Sequence, residues 1–75
     1  MRLRIRDLRE DRDIKQEAIA KILYVRQATY SRYETGEIDI PVRTLIRLAE
    51  YYNTSVDYLV GRTNEKKPYL ERKAQ

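Results

Sequence analysis

The side chains best equipped for chemistry lie between Arg26 and Thr35, in the run Arg26-Gln27-Ala28-Thr29-Tyr30-Ser31-Arg32-Tyr33-Glu34-Thr35. At about 100° per residue, a helix with Tyr30 inward places Tyr33 about 60° and Glu34 about 40° away from it. Ala28, Ser31, Arg32 and Thr35 fall on the opposite side. That outer stripe is small, polar and basic, and no acid lies on it. Arg26 and Gln27 stand at the N-terminal end, where side chains project past the helix start. A helix about 10 Å wide with such a face fits the DNA major groove, its N-terminal residues nearest the base edges. Gln27 suits adenine, Arg26 or Arg32 suits guanine, and Ala28 suits a thymine methyl. A polar outward stripe is also what an ordinary solvated helix presents.

Glu34 shares the inward side with two tyrosines, and a buried carboxylate needs a partner. Arg9 lies about 40° from Ile5 on an earlier helical stretch, also inward. An Arg9–Glu34 ion pair satisfies both groups; the alternative is that both reach solvent at a helix edge. Catalytic chemistry is poorly supported. The chain has no cysteine and no histidine, which removes thiol nucleophiles, thiolate zinc sites, disulfides and the commonest general base. Ser31 and Ser55 have no histidine to activate them, and the scattered acids read as solvated helix faces. Neither an enzyme nor a metal or cofactor is expected.

The elements that must hold these residues are short helices. Ile5 and Leu8 repeat at helical spacing, giving a helix from about 2 to 12, with a strand as the alternative for 2–6 alone. Asp13, tolerant of a left-handed backbone, ends it. Residues 16–23 form a second helix with Ile19, Ala20 and Leu23 on one side, interrupted by Tyr24-Val25. Residues 26–35 form the third, and Gly36 terminates it. After a loop at 37–40, Pro41 suits the first turn of a fourth helix bearing Leu45, Leu48, Ala49 and Tyr52. Ser55 caps a fifth, Val56 to Val60, closed by Gly61. The second and third helices, joined by a turn of two or three residues, have helix-turn-helix spacing.

Gln16-Glu17-Ala18-Ile19-Ala20, Val25 and Tyr30-Ser31-Arg32-Tyr33-Glu34-Thr35-Gly36 together resemble the Cro/C1-type helix-turn-helix of phage-like repressors. The later stretches Ile40-Pro41, Leu45 to Asn53 and Ser55 to Thr63 are similar to the same family in its Gram-positive bacterial form. About 60 of the 75 residues are covered, in order. The resemblance implies an all-α, compact five-helix lambda-repressor-like domain, dimeric, that binds a palindromic operator and represses a promoter. By matching position, Gln16 supports or makes a phosphate contact. Gln27, Ala28, Ser31 and Arg32 face the bases, and Arg9 and Glu34 match a buried ion pair. Three positions depart from the pattern. Lys15 replaces a capping Thr or Ser, Tyr24 replaces the turn glycine, and Arg26 replaces a helix-starting Ser. A lost cap costs about 1 kcal/mol, and a left-handed non-glycine about 1–2 kcal/mol.

Seventy-five residues make one small domain, expected to span 1–61 with a basic, mostly mobile tail at 62–75. The net charge is +4, and the tail, with five cations and two acids, holds +3 of it. Net charge alone therefore does not argue for nucleic acid; the placement of charge does. No apolar run suits a signal peptide or approaches the roughly 18 residues of a membrane span, so a cytoplasmic chain is expected. The function expected is that of a DNA-binding regulator, a repressor acting as a homodimer on double-stranded DNA. The rivals are a protein-interaction module that has kept the fold and lost DNA binding, and an antitoxin that also binds its own operator.

Overall fold

The computed structural model describes residues 3–68. It is all-helical over that range, with α1 at Ile5–Asp11, α2 at Gln16–Leu23, α3 at Gln27–Thr35, α4 at Val42–Tyr51 and α5 at Val56–Leu59. α2 packs on α3 and α4, and α4 packs on α5. One core collects the inward residues of every helix: Ile5 and Leu8, Ile19, Ala20 and Leu23, Tyr30 and Tyr33, Leu45, Leu48 and Ala49, and Leu59, with Tyr52 just beyond α4. The inward faces expected from helical periodicity are the buried ones.

The ends of the helices differ by small amounts from expectation, each for a visible reason. α1 begins at Ile5 with Arg4 as its N-cap; the Arg4 N–H, which has no acceptor within the helix, donates to the Leu59 carbonyl at 2.8 Å. Asp13 is left-handed, as are Tyr24 and Asn53. Arg26 and Pro41 are the N-caps of α3 and α4, not their first helical residues. Neither Lys15 nor Arg26 caps its helix with a side chain. Ser55 does, accepting the Tyr58 N–H at 3.0 Å. α5 stops at Leu59, with Val60 as its C-cap.

The first residues after Gly61 stay on the body, where a mostly mobile tail is expected from 62. Arg4 Nη1 donates to the Thr63 carbonyl and Nη2 to Asn64 Oδ1, both at 2.8 Å. The same guanidinium lies 4.3 Å over the Tyr58 ring. The buried Thr54 hydroxyl donates to the Lys66 carbonyl. These bonds join residues up to 60 positions apart, which no local pattern announces. The expectation for the rest of the tail, including Tyr69-Leu70, lies outside the described residues.

Candidate nucleic-acid interface

Three inward side chains set the rotation of α3. Tyr30 and Tyr33 are buried, their rings edge-to-face at 6.4 Å and 89°, an arrangement favoured by ring quadrupoles. Glu34 completes the face. Arg9 Nε donates to Glu34 Oε2 at 2.6 Å and Nη2 to Oε1 at 3.2 Å. The side chains are only 11% and 3% exposed. Arg9 Nη1 also donates to the Ile14 carbonyl at 2.7 Å. Gln16 Nε2 donates to Glu34 Oε1 at 3.0 Å. The planar guanidinium thus meets the carboxylate through two donors and spends a third on backbone.

Electrostatics follow that geometry. Burial pushes the Glu34 carboxyl upward, but hydrogen bonds from Arg9 and Gln16 and the charge of Arg9 hold it below the usual carboxylate range. The Glu34 hydrogen bond, opposed by burial, raises Arg9 above its ordinary value. The Tyr30 hydroxyl lies beside the same carboxylate and also lowers its value, after Arg9. Burial, with the adjacent carboxylate, raises the Tyr30 phenol well above its ordinary value. Burial also pushes the Tyr52 phenol up to about 12.

With the inner face anchored, Arg26, Gln27, Ala28, Arg32 and Thr35 are exposed and Ser31 is half-buried at the edge of the stripe. Gln16, half-buried at the start of α2, is tied to Glu34, with its backbone N–H in the first turn. The turn between α2 and α3 is closed by the Val25 N–H on the Ala20 carbonyl at 3.0 Å. Tyr24 is left-handed, with φ 59° and ψ 41°; the residue is 84% exposed, with the Arg47 guanidinium 5.6 Å from its ring centre.

Glu37 was not legible as part of this surface. It lies beyond α3 in sequence, yet its carboxylate stands 3.9 Å from Arg32 Nε. The left-handed Gly36 folds the chain back; an acid directly after a helix-ending glycine is the one available signal. Among the described residues, no group of three or more His, Cys, Asp or Glu could hold a metal ion. No helix of the described residues is long and apolar enough to cross a membrane.

A family model described as Helix-turn-helix matches residues 5–59, from the first residue of α1 to the last of α5. The chain belongs to the Cro/C1-type helix-turn-helix family. This helix-turn-helix chain is 34% identical over 70 residues to a Bacillus subtilis (strain 168) protein named Uncharacterized HTH-type transcriptional regulator YobD, a match covering 93% of this chain and 62% of that protein. It is 39% identical over 58 residues to the Cryptic phage CTXphi transcriptional repressor RstR of Vibrio cholerae, covering 77% of this chain and 52% of that protein. The chain therefore spans between about half and three-fifths of the length of these relatives. No solved structure matches it.

Proposed function

We propose that this chain is a sequence-specific DNA-binding transcriptional regulator, a repressor that reads a two-fold operator with α3 in the major groove. The observation that carries this reading is the outer face of α3, which bears no acid of its own and is exposed at Arg26, Gln27, Ala28 and Arg32 while Tyr30, Tyr33 and Glu34 lock the inner face. A helix held in one rotation can present the same side chains to successive base edges. Gln27 reads adenine, Arg26 or Arg32 guanine, and Ala28 contacts a thymine methyl, with Ser31 at the margin. Gln16 orients Glu34 through its side chain and offers its backbone N–H, at the start of α2, to a phosphate. Lysine and arginine elsewhere add sequence-independent attraction. The names of the two relatives, a transcriptional regulator and a transcriptional repressor, support the same reading.

One helix reads too few base pairs for control in a genome, so the active form is a homodimer with half-sites about 34–36 Å apart. α5 supplies the contact: Leu59 is buried, but Val56, Tyr58 and Val60 keep part of their surface in solvent. Selection of bound sequences from random DNA, followed by footprinting, tests the whole reading. A symmetric pair of protected half-sites is expected. Arg32→Ala and Gln27→Ala each cost about 1–3 kcal/mol on that site and relax its sequence. A uniform loss on every sequence would move those residues to phosphate, and no enrichment of any sequence would reject the reading.

A further inference from the structure

The outer face of α3 carries no acid of its own, but the chain returns one to it. Arg32 Nε and Glu37 Oε2 are 3.9 Å apart, with the side chains 56% and 65% exposed. The backbone keeps Glu37 there. Its N–H donates to the Arg32 carbonyl at 3.0 Å and approaches Thr35 Oγ1 at 3.3 Å. The Ile38 N–H reaches the same Arg32 carbonyl at 3.4 Å. The residue is therefore fixed over the last turn of α3, and exposed Asp39 follows two positions on.

We propose that Glu37 is a specificity-determining residue that restrains Arg32 from phosphates while leaving it free for a guanine edge. The proposal rests on the DNA-binding reading above. An exposed ion pair at this distance is weak, so Arg32 can leave it. The two candidate partners then differ in charge. A phosphate drawn to Arg32 must sit beside the Glu37 carboxylate; at about 6 Å in water that repulsion amounts to roughly threefold in binding. Guanine O6 and N7 are acceptors on a base without net charge and meet no comparable repulsion. Glu37 thus weakens non-specific binding more than specific binding and widens the ratio between them, which is the quantity that matters among many competing sites. Salt erodes the effect, because both groups are exposed.

The test is Glu37→Gln, which keeps shape and removes charge, in wild-type and Arg32→Ala backgrounds. Affinities are measured at low and at physiological salt on the best selected site and on a random-sequence duplex. In the wild-type background, Glu37→Gln is expected to tighten random DNA about three- to tenfold at low salt, for one or two subunits in contact. The best site gains less than about twofold. In the Arg32→Ala background the gain on random DNA falls below about twofold. Equal gains on both DNAs, or none, overturn the proposal while leaving DNA binding intact. An undiminished gain without Arg32 also overturns it, because Glu37 would then act on phosphates directly. If wild type and variants alike bind no DNA, the DNA-binding reading falls first and this one with it.

Discussion

Replacing Arg9 with Met is the most demanding test of how α3 is held. Arg9 gives the nearly enclosed Glu34 carboxylate two hydrogen bonds, at 2.6 and 3.2 Å, and gives the Ile14 carbonyl a third at 2.7 Å. Met matches much of the aliphatic stem but returns none of these. Gln16, at 3.0 Å, is then left as the carboxylate's hydrogen-bonded side chain. Stranding one member of a buried pair costs about 3–5 kcal/mol. A chain of this size has only about 4–11 kcal/mol in total. At about 4–8 °C per kcal/mol for a small domain, the thermal midpoint should fall by at least about 12 °C. The double variant Arg9→Met/Glu34→Leu should recover most of the loss, because no charge is left buried. Glu34→Gln alone should cost less than Arg9→Met, about 1–3 kcal/mol, since Arg9 keeps the Ile14 carbonyl and some access to water. Thermal melts by circular dichroism read all three. A midpoint for Arg9→Met within two degrees of wild type would refute the reasoning, as would a double variant no more stable than the single one.

Acid should act through the same pair. The folded Glu34 carboxyl lies below its ordinary value, so its contribution is present above about pH 4.3 and is lost as pH falls through the folded value; Glu34→Gln should flatten the acid limb of a melting-midpoint profile. Base should act through the buried phenols. Tyr52 is raised to about 12 and Tyr30 is also raised, so stability is full below about pH 10 and falls as the unfolded chain ionises first. Alkaline unfolding should therefore begin between about pH 10 and 12, and Tyr52→Phe should shift it upward; an unmoved transition would count against the burial of that hydroxyl. Tyr24→Gly should raise the midpoint by a few degrees, because the left-handed backbone costs a side chain about 1–2 kcal/mol and the ring is too exposed to contribute much packing; a lower midpoint would mean that the Arg47 contact matters more than the backbone. Arg4→Ala should free the stretch after Gly61, seen as faster trypsin cleavage after Arg62 and Lys66 (the Lys67 bond is protected by Pro68) with α3 amide protection unchanged; an unchanged cleavage rate would show that the Arg4 contacts do not hold the stretch.

Much of the molecule was written locally in the chain. Periodicity alone told which sides of α2, α3 and α4 turn inward, because a helix repeats every 3.6 residues whatever it packs against. Gly36, Gly61 and Ser55 marked helix ends through backbone freedom and a short hydroxyl, properties that also need no partner. Glu34 was legible as a problem, since a carboxylate beside two inward tyrosines demands a cation, and Arg9 was the residue placed to answer it. Tertiary structure decided the matters that depend on what lies across a gap. The Arg4 N–H and guanidinium find their acceptors on Leu59, Thr63 and Asn64, far along the chain. Gln16 turns its amide to Glu34 across the gap between α2 and α3. Ser31 is half-covered at the edge of a stripe that the helical wheel drew as fully outward. Glu37 reaches Arg32 only because Gly36 reverses the chain. Periodicity gives the direction of a side chain, but the partner it meets depends on the packing of elements distant in sequence, which one sequence does not encode position by position.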